Sequence, residues 1–275
     1  MNRTLTYLIL PLFLLSCQAD RKSKKDILKE KIAANKIRLE KVYQYEYRFG
    51  QPDTANGFLF QLTEYDASGN AIYSNIYHRN DSTLNTREEY YYDIHGNDSA
   101  TVSKDHEGNI TAVVRNEYDD NHRNTARLFY NSEGQLDRKI IYAYDKNEQV
   151  KELTSRDAAG KVIYAFHYTY NEHGDEALTS EFDKDGKLVM KSELVNDTDT
   201  SLHYDVYNGR NELTHKFFNT INEKRYVTRQ GYMDMTDSSM HNTTLVYDQH
   251  DLIIERITYD PQGEPAQLTR IVREQ

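Results

Sequence analysis

Acidic side chains at a fixed spacing are the first residues here that could do chemistry. Asp or Asn recurs through the chain in the form aromatic-Asp-x-x-Gly. Asp183-Lys184-Asp185-Gly186 echoes the start of a calcium loop, which needs a bidentate acid about nine residues after the second Asp. Leu194 stands there, with Glu193 one short. Successive turns on one rim of a sheet lie about 10 Å apart, too far to share an ion that wants ligands at about 2.3–2.6 Å. The Asp residues therefore read as turn formers, and neither metal nor cofactor is expected. Of the ten histidines, His95, His122, His173 and His250 fall at turn tips, with no ligand spacing among them. His-Glu-x-x-His, Gly-x-Ser-x-Gly and Walker patterns are absent, so no enzyme is expected. The remaining candidates are aromatic: Tyr142, Tyr144, Tyr164, Tyr168 and Tyr170 stand in alternating register. Facing water, they would make a stacking surface for sugars or peptides. Packed, they would be cross-strand pairs worth about 0.2–1 kcal/mol each.

The elements that position these residues are read from the repeat. Tyr92, Tyr118, Tyr144 and Tyr170 recur every 26 residues, and each is followed by Asp or Asn. The series extends to Tyr65, Asn196, Ile221 and Tyr247 with one-residue shifts. A second series, His78, Lys104, Tyr130, Arg156, Phe182, Tyr207, Met233 and Tyr259, is interleaved with it. Asp or Asn at the first turn position bonds its own backbone, and Gly in the fourth accepts a positive φ. Between turns the alternation is of period two: Val162, Tyr164, Phe166, Tyr168 and Tyr170 against Ile163, Ala165, His167 and Thr169. The reading is all-β: a long antiparallel hairpin meander of about eight repeats over residues 42–275, forming a twisted or curled sheet. Val42–Tyr47 and Phe58–Phe60 supply an opening hairpin, and the pattern becomes irregular after Leu194.

A net charge of −10 gives no cationic footprint for nucleic acid. Hydrophobic content of 37%, with 23 Tyr and no Trp, suits strands with one semi-wet face rather than a dense core.

The first residues carry an address. Met1-Asn2-Arg3-Thr4 and the apolar Leu5–Leu15 have the layout of a secretory signal peptide over residues 1–16, too short to span a bilayer. Leu14-Leu15-Ser16-Cys17 resembles the bacterial lipobox, which implies acylation of Cys17, the single cysteine of the chain. Residues 17–41 then read as lipid anchor and helical tether: a solvated helix with seven lysines, serving as spacer or touching anionic headgroups.

Tyr65-Asp66-Ala67-Ser68-Gly69, Tyr92-Asp93-Ile94-His95-Gly96 and Tyr168-Thr169-Tyr170-Asn171-Glu172-His173-Gly174 resemble the YD repeat of RHS-type proteins. That resemblance implies a β-shell that encloses a toxin, or adhesion and glycan contact. The chain departs from the family in its longer alternating period and short array, with no toxin-like domain following. Asp260-Pro261-Gln262-Gly263 resembles the family's cleavage motif but occupies an ordinary turn slot. Asp53-Thr54-Ala55, Asp81-Ser82-Thr83 and Asp98-Ser99-Ala100 resemble the O-glycosylation sites of Bacteroidota, which points to the outer membrane, periplasmic or surface-exposed.

The expected function is that of a non-catalytic envelope lipoprotein, held to the membrane by its N-terminal lipid, that binds a protein or glycan or acts as a spacer. The alternative is an RHS-like shell or accessory of a toxin or adhesion system. An exposed Tyr ladder would favour the first, a closed hollow shell the second, and a cleft gathering carboxylates an enzyme.

Overall fold

A computed structural model describes residues 24–79 and 82–275. The signal peptide, Cys17 and Asp81 lie outside the described residues.

The described residues form one α-helix, a single 3-10 turn at Thr54–Asn56 and nineteen strands. The helix α1 is Lys24–Ala34. The strands are β1 (Leu39–Arg48), β2 (Gln51–Pro52), β3 (Phe58–Tyr65), β4 (Ala71–Tyr77), β5 (Leu84–Tyr92), β6 (Asp98–Asp105), β7 (Ile110–Tyr118), β8 (Asn124–Asn131), β9 (Leu136–Tyr144) and β10 (Val150–Asp157). They continue with β11 (Val162–Tyr170), β12 (Glu176–Asp183), β13 (Leu188–Asp197), β14 (Ser201–Asn208), β15 (Leu213–Ile221), β16 (Val227–Asp234), β17 (Met240–Tyr247), β18 (Ile253–Tyr259) and β19 (Pro265–Glu274). Every pairing is antiparallel between chain neighbours, save that β1 pairs both β3 and β19. The two-residue β2 is a spur on β1. The other eighteen strands close into a barrel.

The expectation of a twisted or curled sheet is thus corrected. An open sheet would leave β1 and β19 as unpaired edges. Here Leu39 to Glu46 run against Glu274 to Gln267 in unbroken register. After Leu194 a bulge falls between Leu194 and Asn196, the Thr198–Ser201 turn is one residue shorter than the rule and the Asp234–Ser239 turn one longer, and the ladder continues through all three.

The turns follow one rule. In twelve of them Oδ1 of the Asp or Asn accepts the backbone N–H two and four residues on, as Asp93 does from His95 and Asn97, and Asn171 from His173 and Asp175. The residue three positions after it is left-handed: Gly134 at φ 75°, but also Glu148 at φ 63°. At Asp183 the backbone N–H groups of Lys187 and then Asp185 hold the carboxyl below its ordinary range. The folded value lies below the unfolded one, about 3.9. Stability from this group is therefore present above that value and lost as pH falls through the folded one. Asp183→Asn, copying Asn171, is expected to leave Tm at neutral pH nearly unchanged and to flatten its fall on acidification. Asp183→Ala should lower Tm at neutral pH, because both N–H groups lose their acceptor. Thermal melts between pH 7 and acid read both.

Alternation and pairing register sort the side chains into two faces. One carries ion pairs in the middle of the strands: Lys104 to Glu89 at 2.8 Å, Lys139 to Glu117 at 3.1 Å, Lys191 to Glu193 at 2.7 Å and Arg270 to Glu255 at 2.9 Å. The other carries Tyr65, Thr63, Ser74, Tyr90, Phe129, Ile140, Tyr164, Phe166, Phe217 and Tyr232, and it faces inward.

Helix α1 shows which face is inside, and its own placement corrects the solvated tether. Ile32 is 0% exposed and packs with Ile37, Leu252 and Tyr65. Lys25 Nζ donates to Asp98 Oδ2 at 3.0 Å, and Lys31 Nζ to the Asp251 carbonyl at 3.0 Å and Tyr226 Oη at 3.2 Å. Asp98 and Tyr226 are about eight strands apart around the ring, an arc of about 38 Å at about 4.8 Å per strand. An eleven-residue helix is about 16 Å long. It bridges those points only as a chord across the mouth. The helix therefore covers the rim bearing the Tyr65, Tyr92 and Tyr118 turns, here the helix rim. Turns such as Asp183–Gly186 and Asp260–Gly263 form the far rim.

Candidate functional site

The barrel interior is the candidate site. Eighteen strands at about 4.8 Å make a ring about 27 Å across, more with tilt. Side-chain layers of about 5 Å on each wall leave a bore of about 17 Å. The inner hydrophobic cluster, Ile140, Val150, Leu153 and Tyr168 with Phe129, Tyr142, Tyr144, Tyr164, Phe166 and Tyr170, comes entirely from the contiguous strands β8 to β11. Only twelve hydrophobic side chains among the described residues are buried, too few for a packed core in a chain of this size.

The lining is two-sided. From β3 to β7 it is polar: Gln61 Nε2 donates to Thr63 Oγ1 at 3.1 Å and Ser74 Oγ at 2.9 Å, and Glu88 accepts from Tyr90 Oη at 2.8 Å. From β8 to β11 and β15 to β17 it is aromatic. Phe217, Tyr232 and His241 stand opposite one another on three strands, with ring centroids 5.4 and 4.6 Å apart. His215 lies beside them, its Nε2 3.7 Å from Asp234 Oδ2. This ladder lies in the irregular part of the repeat and was missed from sequence. A period-two reading of Phe217 against Tyr232 would have found it.

The five tyrosines singled out from sequence are brought together on this inner wall. Tyr164 and Tyr168 flank Phe166 at 5.7 and 6.2 Å. Tyr168 is 6% exposed, and burial raises its phenol pKa. Tyr142 is half-buried in the same cluster. Tyr144 and Tyr170 do something the sequence did not announce. Tyr144 Oη donates to the Asn124 carbonyl at 2.7 Å and Tyr170 Oη to the Val150 carbonyl at 2.7 Å, each twenty residues back. Tyr92, Tyr118 and Tyr247 do the same toward Ala71, Asp98 and Val227. Burial pushes the Tyr92 and Tyr118 phenols up to about 12. At these five turns the tyrosine before the Asp or Asn is thus a staple tying one hairpin to the preceding one at the helix rim. Tyr144→Phe keeps the ring and removes the donor, with an expected loss of about 1 kcal/mol in urea unfolding. A loss below the error of the melt would remove the staple role.

Other candidates are spent locally. In Asp183-Lys184-Asp185, Asp183 accepts two turn N–H groups and Asp185 accepts from Lys184 Nζ at 2.5 Å. His95 and His122 meet at 4.5 Å between centroids on neighbouring turn tips. Among the described residues no three His, Cys, Asp or Glu converge as a metal site. Ser99 Oγ donates to the Tyr91 carbonyl at 3.1 Å, and Asp53 accepts from Asn56.

No known family model matches the chain, and no curated protein does. Among solved structures it is similar to a porin-like protein from Bacteroides uniformis, at 10% identity over 86% of this chain and 96% of that one, with a TM-score of 0.47. A porin-like protein from Bacteroides vulgatus follows at 10% identity, 85% and 97% coverage and a TM-score of 0.33. The TcdB2-TccC3 structure aligns at 11% identity over 76% of this chain but 15% of that one, with a TM-score of 0.30.

Proposed function

We propose that this protein is a non-catalytic cell-envelope lipoprotein, anchored through Cys17, whose barrel is a small water-filled vessel that holds a chain-like guest in its lumen. The observation that carries this reading is the closed ring of strands with an aromatic inner wall built from contiguous strands. The outer wall supports a place in water rather than in lipid. Charges at mid-strand on a lipid-facing wall would cost about 2–4 kcal/mol each at the bilayer midplane, and here they recur around the ring. Closure weakens the outer Tyr platform and favours the shell reading. The bore sets its limit: about 17 Å admits an extended peptide or a glycan chain, whereas a folded domain of about 100 residues, with a radius of gyration of about 13 Å, does not fit. The toxin-enclosing version is disfavoured on size.

The test is native mass spectrometry of the form beginning after Cys17, incubated with envelope extract. A retained peptide or glycan that is lost in Phe166→Ala and Tyr142→Ala, and kept in the outer-wall variant Ile163→Ser, is the expected result. If the parent barrel stays empty, the spacer reading replaces the vessel.

A further inference from the structure

We infer that the helix rim faces the bilayer and that the far rim opens away from it. The inference rests on the anchor at Cys17 proposed above.

Helix α1 is pinned across the helix rim at both of its ends, by Lys25 to Asp98 and by Lys31 to Asp251 and Tyr226. Next to Lys31, Ile32 is wholly buried and packs with Ile37, Leu252 and Tyr65. Gly69 adds a steric lock, because a Cβ there would meet the Lys29 carbonyl oxygen and come within 3.0 Å of Ala33 N. The point from which the anchor departs is therefore fixed relative to the wall. Cys17 precedes Lys24 by seven residues, which reach at most about 25 Å when fully extended. Strands of eight or nine residues, tilted as closure requires, make a wall about 20–25 Å high, and the step out over the rim turns adds roughly 10 Å to the path. To set the far rim on a membrane, the chain would have to leave the mouth, pass over the turns and descend the whole wall. Seven residues do not reach. The acyl group enters a bilayer only with the helix rim nearer to it.

The consequence is an order of parts. The plugged end stands over the lipid and the unplugged end faces the aqueous side. The far rim also carries the segment between β1 and β3, which departs from the hairpin rule. Phe49 at its tip is wholly exposed and left-handed at φ 51°. Arg48 pairs with Asp53, and Arg79 with Glu46, beside it. On this orientation a guest enters past these residues, and Lys25 and Lys29 lie at the lipid side.

The chain has no Trp, so a single introduced one is a unique fluorophore. Asn147→Trp and Gln262→Trp occupy the same slot of a turn on the helix rim and the far rim. Each full chain, acylated in cells and reconstituted into phosphatidylcholine vesicles doped with dansyl-headgroup lipid, reports its distance from the headgroups by energy transfer. Several-fold greater transfer from Asn147→Trp is expected. Equal transfer, or the reverse, overturns the orientation. Inserting about twenty Gly and Ser residues before Lys24 adds roughly 25 Å of flexible reach and should erase the difference. Intact mass at Cys17 is read separately. If it shows no acyl group the anchor reading fails, and the same two Trp variants coupled through the Cys17 thiol to a maleimide lipid still decide which rim the tether brings down.

Discussion

Deleting Pro265–Gln275 is expected to abolish the cooperative fold and leave an aggregating chain. Strand β19 is the keystone of the ring, paired to β18 on one side and β1 on the other. Its removal exposes two long edges at once, and unpaired edges template further pairing. It also uncovers the side chains that Leu268, 3% exposed, packs against. A milder version isolates the closure. Arg273 pairs with Glu40 at 2.7 Å, with side chains 12% and 15% exposed, and donates to the Ile253 carbonyl at 2.8 Å. Arg273→Ala strands a largely buried carboxylate. The expected cost is about 3 kcal/mol, a fall in Tm of roughly 6–12 °C for a chain of this size. Arg273→Met with Glu40→Met should recover most of it, since neither charge is then left alone. Thermal unfolding and size-exclusion chromatography read these outcomes. Were the deletion to remain monomeric and melt cooperatively, the ring would not depend on its last strand.

The second large effect separates helix docking from turn chemistry. Gly69 and Gly134 occupy the same turn slot at φ 80° and 75°. Alanine at Gly134 meets nothing within 4 Å, so Gly134→Ala should cost only the left-handed penalty of about 1–2 kcal/mol. Alanine at Gly69 drives its Cβ into the backbone of α1, which cannot yield as a side chain would. The helix must lift, and Ile32 loses its burial against Ile37, Leu252 and Tyr65. Gly69→Ala is expected to cost about 2–3 kcal/mol more than Gly134→Ala, the value of burying one such side chain. Trypsin should then cut quickly after Lys25, Lys29 and Lys31 in Gly69→Ala and slowly in Gly134→Ala. Equal stability and equal cleavage would show that the helix does not rest on the rim.

Much of this barrel was legible because its information is local. The Asp or Asn of twelve turns bonds N–H groups two and four residues on, as at Asp183, and the period-two alternation of β11 sets five even positions against four odd ones. Turn position, strand length, antiparallel order and the division into two faces all follow from contacts within one hairpin. The staples lay at the edge of legibility. Their 26-residue period was plain, but a hydroxyl that reaches back twenty residues to a carbonyl leaves no mark on its neighbours.

What only the tertiary structure decided depends on contacts across the whole chain. A local turn rule is satisfied equally by an open ribbon and by a ring, because each hairpin is blind to how many precede it. Closure required the twist accumulated over eighteen strands to return β19 to β1, and its marks in the sequence are two ion pairs 233 residues apart, Arg273 to Glu40 and Lys41 to Glu274. Once closed, the ring turned the Tyr164 and Tyr168 row from an outer platform into an inner wall and made a mouth narrow enough for α1 to bridge. The basic, lightly apolar helix read as a spacer because its partners, Tyr65 and Leu252, come together only when both ends of the chain meet.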